Sequence, residues 1–130
     1  MELRHLKPKE PIEYENPDPK VLDTFENPGV NEVTLECIEF TSLCPVTGQP
    51  DFGKLKIIYQ PKEKCLESKS LKLYLGMYRQ FGGFAEKITQ KIYWDLFSVL
   101  DPIHLKVVCK FSYRGGISIE AYKGDRKSVV

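Results

Sequence analysis

Two hydrophobic periods divide this chain. Residues 32–40 (EVTLECIEF) form a short run rich in β-branched and apolar side chains, and residues 54–60 (KLKIIYQ) alternate Leu55, Ile57 and Tyr59 against Lys54, Lys56 and Gln60. Alternation of period two turns one face inward and the other to water, so both segments are predicted as strands. A period near 3.6 then takes over. Over residues 68–78, Leu71, Leu75 and Tyr78 share one face with Tyr74 beside them, which predicts a short helix that can open on a serine cap. Phe84, Ile88, Ile92, Leu96 and Val99 make a longer stripe, a second helix ended by Asp101-Pro102 because proline withholds the next donor. Alternation returns with Ile103, Leu105, Val107, Cys109 and Phe111 inward and His104, Lys106 and Lys110 outward. Arg114-Gly115-Gly116 is hairpin chemistry leading into a last strand over residues 117–120. The order strand, strand, helix, helix, strand, strand predicts an α+β domain with antiparallel hairpins.

The remaining segments have other chemistry. Five of the nine prolines fall in the first thirty residues. Proline fixes φ and removes donors, so residues 1–30 read as an extended arm that wraps a surface, ahead of one domain over residues 31–130. Between the first two strands, SLCPVTGQPDFG is dense in turn-forming residues and long enough to hold a site.

Composition narrows the function. Nineteen Lys+Arg against eighteen Asp+Glu leave a formal charge of +1, with the two signs interspersed. This excludes a charge-driven polyanion binder and argues against direct nucleic-acid contact. A chain of 130 residues has one core, and burying roughly two-thirds of its unfolded surface leaves little room for a pocket holding two sizeable ligands; such a pocket would need a neighbouring subunit. The start, MELRHLKPKE, is charged, and no run reaches the ~18 apolar residues of a membrane span. The expectation is a cytoplasmic protein with no membrane partner. Cys37, Cys44, Cys65 and Cys109 contain no C-x-x-C pair and read as reduced thiols. Zinc held by these cysteines with His5 or His104 would lack the usual closely spaced ligand pair, so no metal is expected.

Cys44 lies in the turn-rich loop, seven residues before Asp51. A thiolate is a nucleophile, but an ordinary cysteine is mostly protonated at neutral pH, so a reactive Cys44 needs a positive or hydrogen-bonding neighbour. Asp51 could move a proton but would not favour a thiolate. The plainer alternative makes Cys44 a small buried hydrophobe and Asp51 a turn residue. Glu67-Ser68-Lys69-Ser70 opens the first helix, either as a cap or as hydroxyls, amides and a cation for an anionic group. Glu86, after Gly82-Gly83-Phe84, either complements the helix dipole or presents two oxygens to paired N–H donors of a flat heterocycle. Arg114 is either a solvated hairpin residue or a fork for phosphate. No G-x-G-x-x-G follows a strand, so a nicotinamide cofactor would not sit on a Rossmann fold.

CPVTGQPD at 44–51, ESKSLKLY at 67–74 and RGGISI at 114–119 together resemble the NADPH-dependent 7-cyano-7-deazaguanine reductases, the nitrile reductases of queuosine biosynthesis. The resemblance runs in matching order from about Asn31 to Tyr122, and ESKSLKLY is the family's distinguishing block. It implies the single-module tunnelling fold: an antiparallel four-stranded sheet with two helices between its second and third strands, assembled as a homo-oligomer into a barrel. It further implies that Cys44 attacks the nitrile carbon to form a covalent thioimide and that Asp51 supplies protons. Leu66, Glu67, Ser68, Ala85 and Glu86 would then contact the base, while Ser68, Lys69, Arg114 and Gly115 would hold NADPH. The family usually carries histidine before the substrate-binding glutamate, where this chain has Ala85. Sites would lie between subunits, with Glu86 and Cys44 facing one pocket from different chains. Two alternatives stand beside this: a relative that lets ammonia attack the same thioimide, and a noncatalytic purine-binding module of the same fold.

Overall fold

The computed structural model describes residues 16–124. Pro8 and Pro11 of the expected arm and the zinc candidate His5 lie outside the described residues, as do residues 125–130. In chain order the described elements are β1 (Thr24–Glu26), β2 (Val33–Leu43), β3 (Pro50–Gln60), β4 (Lys64–Leu66), α1 (Ser68–Gly76), α2 (Ala85–Leu100), β5 (His104–Arg114) and β6 (Ile117–Gly124), with short 3-10 turns at Pro19–Val21 and Met77–Gln80. β2, β3, β5 and β6 form one antiparallel sheet in that order, and β1 pairs with β4 in a separate two-stranded ribbon. The α+β arrangement expected from the periods is therefore present, with both helices between the sheet's second and third strands.

The inward sets foreseen on β3 and β5 are the core. Leu55, Ile57 and Tyr59 lie beside Leu105, Val107 and Cys109, all buried, and α2 covers them with Ile88, Ile92, Leu96 and Leu100. The β5–β6 connection is the two residues Gly115 and Gly116, at φ +56° and +81°. Both sit in the left-handed region that a type I′ hairpin turn demands and that glycine adopts without steric cost.

Several boundaries move, each for a physical reason. Glu67, not a serine, caps α1: its carboxylate accepts from the N–H groups of Lys69 and Ser70 at 2.7 and 2.8 Å. The 68–78 segment tightens into a 3-10 turn after Gly76. Phe84 belongs to the N-cap position of α2 and is 61% exposed, so the buried stripe begins at Ile88. The helix ends because Asp101 turns left-handed, at φ 45°, while its own N–H still bonds to Phe97. Ile103 is exposed, since β5 starts one residue later, and β6 runs on to Gly124 against Lys106. Within the proline-rich segment, Pro17 and Leu22 are buried and β1 supplies a strand for the ribbon.

Candidate active site

Backbone pairing at the end of β2 builds the site. The Leu43 N–H donates to the Phe81 carbonyl at 2.9 Å, and the Gly83 N–H donates to the Leu43 carbonyl at 3.1 Å. Leu43 thus forms a parallel bridge with Gly82, which docks the start of α2 against the end of β2. Cys44 is the next residue on one side of that junction, and Ala85 and Glu86 follow it closely on the other. A Cβ on Gly83 would lie 2.8 Å from the Phe81 ring and 3.2 Å from the Ile88 side chain, so a larger residue there would have to displace both. Register brings in the third element, because Leu43 pairs with Pro50 and Ser42 with Asp51.

The result is a cavity of about 190 Å³ whose walls include Cys44, Asp51, Ala85, Glu86 and Arg114. Within a single chain Cys44 and Glu86 line the same cavity, and the Leu43–Gly82 junction is the reason. The cavity also takes in residues that the sequence reading missed: Gly83, Phe84, Phe111, Ser112, Ile117 and Ile119. By period, Phe84 belongs to the helical stripe and Phe111 to the strand alternation. Their shared location depends on the junction and the hairpin, which no local pattern encodes.

The site's polar groups form two sets. The Cys44 thiol is held below its ordinary value, first by the neighbouring Thr47 hydroxyl and then by the amides of Thr47 and Val46, with burial and the negative charge of Asp51 opposing. This is the hydrogen-bonding neighbour that a reactive cysteine requires, and Asp51 acts against the thiolate as expected. In the second set, Nη1 of Arg114 is ion-paired with Oδ1 of Asp51, and Nη2 donates to Oε1 of Gln49 at 2.8 Å.

The remaining residues stand apart from this cavity. Leu66 is buried in the core, with its N–H donating to the Tyr59 hydroxyl at 2.8 Å. Glu67 is committed to capping α1, its carboxyl held below the ordinary value first by the Lys69 amide and then by that of Ser70. Those two amides are therefore not open to an anion. Ser68 and Lys69 project from α1 as exposed side chains, and Gly115 is exposed at the hairpin turn with open space where a Cβ would be. Within one chain, the Leu66–Lys69 cluster and the Cys44–Glu86 cavity are not brought together.

Comparison with known proteins follows the same lines. Residues 50–128 match the sequence profile of a family described as QueF-like protein. The NADPH-dependent 7-cyano-7-deazaguanine reductase of Helicobacter pylori strain Shi470 is 48% identical over 124 residues, covering 93% of this chain and 84% of that protein. The protein of the same name from Streptococcus thermophilus is 50% identical over 107 residues, covering 80% of this chain and 66% of its own. Among solved structures, the apo form of an archaeosine synthase QueF-Like superposes with a TM-score of 0.70 at 22% identity, over 75% of this chain and 95% of that one, a likeness of fold.

Proposed function

The chain belongs to the QueF-like family of NADPH-dependent 7-cyano-7-deazaguanine reductases, and from that premise we propose how its own residues carry the reaction. The protein is an oxidoreductase that reduces the nitrile of 7-cyano-7-deazaguanine to the aminomethyl group, in queuosine biosynthesis. The observation that carries the assignment of roles is the single-chain cavity joining Cys44, Asp51 and Glu86.

Cys44 is the nucleophile. Its sulfur adds to the nitrile carbon, one π bond of C≡N opens, and the nitrogen takes a proton as the thioimide forms. Asp51 handles that proton and the later ones. With Ala85 in place of the family's usual histidine, Asp51 is the carboxylate on the β2–β3 side of the cavity, beside the sulfur. Glu86 stands on the α2 side, where its two oxygens can accept the paired N–H donors of the pyrimidine edge. Phe84, Phe111 and Ile119 give the flat ring apolar walls. When bound, NADPH supplies the hydrides that convert a nitrile to an amine; Ser68, Lys69, Arg114 and Gly115 would hold it. The covalent tether keeps the partly reduced carbon in place between reductions.

A second copy of the chain completes the site. The cavity, at about 190 Å³, is smaller than the ~300–1,000 Å³ of ordinary ligand pockets, and the Leu66–Lys69 cluster lies elsewhere. β2 and β6 are both open sheet edges among the described residues, each able to pair with another copy in a closed barrel. No helix among the described residues is long and apolar enough to cross a membrane. The substrate is a free deazapurine, so the cytoplasm is the proposed compartment and no nucleic-acid partner is required.

Incubation with the nitrile alone, followed by intact-mass measurement, is the test. The expected result is a one-to-one adduct that is lost in Cys44→Ala, followed by a fall in NADPH absorbance once cofactor is added. Absence of the adduct, or its survival in Cys44→Ala, would overturn the thioimide.

A further inference from the structure

Arg114 reaches the cavity by breaking the alternation of its own strand. Along β5 the odd-numbered Leu105, Val107, Cys109 and Phe111 are buried, so an even number places a side chain with Lys110 on the opposite face. Between Phe111 and Arg114, however, β5 advances three residues while β6 advances two, from Ile119 to Ile117. That is a bulge of one extra residue, and it reverses the alternation beyond it. Tyr113, which unbroken alternation would bury, is 73% exposed, and Arg114 stands in the cavity wall.

There the guanidinium holds two groups at once. Nη1 is paired with Oδ1 of Asp51, and Nη2 donates to Oε1 of Gln49 at 2.8 Å. Gln49 is also the backbone partner of the nucleophile, because the Cys44 N–H donates to the Gln49 carbonyl at 2.8 Å and the Gly48 N–H donates back to the Cys44 carbonyl at 2.8 Å. One planar fork therefore spans the turn that carries Cys44 and the strand that carries Asp51. The Arg114 side chain is 46% exposed and that of Asp51 21%, a degree of solvation at which an ion pair contributes little to stability. Its effect is on direction. A guanidinium has further N–H groups beyond the two engaged here, and these remain for an anionic group.

We propose that Arg114 is the positioning residue for nitrile capture: by holding Gln49 and Asp51 in one fork, it fixes the Asp51 carboxylate and the Cys44 turn in the relative placement that thioimide formation needs. The proposal rests on Cys44 as nucleophile and Asp51 as proton carrier. In that step the C–S bond forms, one π bond of C≡N opens, and the thiol proton passes by way of Asp51 to the nitrogen. Arg114 touches none of the reacting atoms. It acts on where the carboxylate stands, before any hydride is transferred, and this role is separate from contact with the cofactor.

The test is the rate of adduct formation with 7-cyano-7-deazaguanine alone, followed by intact mass with NADPH absent. Arg114→Ala should slow capture by about tenfold or more, while Tm stays close to that of the wild type because the pair is solvated. Gln49→Leu removes one arm of the fork and touches no residue assigned to the cofactor. It should slow capture by a smaller factor and add nothing in an Arg114→Ala background. Arg114→Lys, which keeps the charge but not the fork, should restore only part of the rate. Capture at the wild-type rate in Arg114→Ala, with only KM for NADPH raised, would overturn the proposal and leave Arg114 as a cofactor contact. Losses that multiply independently in the Gln49→Leu, Arg114→Ala double variant would overturn the shared fork. Failure of the underlying reading looks different: wild-type protein would then form no adduct at Cys44, and the proposal would fall with it.

Discussion

Thiol burial separates two cysteines of this chain by chemistry. The Cys109 thiol, deep in the sheet core, is pushed up to about 11, chiefly by burial, with a hydrogen bond from Thr89 opposing. Cys44 is lowered by the donors of its turn. Limited alkylation of the native chain at neutral pH should accordingly label Cys44 first and leave Cys109 unmodified until unfolding. Peptide mapping checks this, and early labelling of Cys109 would contradict the packing. Asp51→Asn provides a second test. The amide cannot pass a proton, so turnover should fall by about 100-fold or more while binding of the nitrile is kept; near-normal turnover would remove Asp51 from its role. At this scale the sequence marks Cys44, Asp51 and Glu86 by residue type alone, but not that one cavity holds all three.

The helices show what local pattern can and cannot convey. The stripe from Ile88 to Leu96 placed α2 correctly because a period of 3.6 and burial are the same fact seen in sequence and in space. α1 begins at Ser68 as its period predicts, but the cap is Glu67 rather than a serine, because the glutamate oxygens reach the Lys69 and Ser70 amides. That cap has a pH signature. Glu67 has its folded pKa depressed below the ordinary 4.5, so its contribution to α1 is complete above that value and is lost as pH falls through the lower folded value. The protection of the Lys69 and Ser70 amides against exchange, relative to their intrinsic rates, should fall on acidification ahead of that of α2 amides. Between the helices, the Tyr74 hydroxyl donates to Asp95 at 2.5 Å and bonds Tyr78 at 2.8 Å, while Lys91 pairs with Asp95 at 3.0 Å. Both tyrosines are fully buried, and burial raises their pKa values first of all. This brace ties α1, which carries Ser68 and Lys69, to α2, which carries Glu86. Tyr74→Phe should cost about 1–3 kcal/mol, seen as a lower Tm; an unchanged Tm would show that the brace contributes nothing.

For the whole molecule, the central prediction concerns assembly. If one copy supplies Cys44 and another supplies Glu67, Cys44→Ala and Glu67→Ala proteins should each be inactive alone and regain part of the activity when unfolded and refolded together. Activity that stays absent in the mixture would place both residues in the same chain's site. The amino-acid sequence by itself determined the α+β class, the inward faces of β3, β5 and α2, the glycine hairpin and the motifs that point to nitrile reduction, because each rests on periodicity or on a residue type acting within a few positions. The meeting of Cys44 with Glu86, the pairing of Arg114 with Asp51 and the separation of Leu66–Lys69 from that cavity were decided only by tertiary structure. They depend on a parallel bridge between Leu43 and Gly82, thirty-nine residues apart, and on the register of β3 against its neighbours. Contacts between segments so distant in the chain leave no period along it.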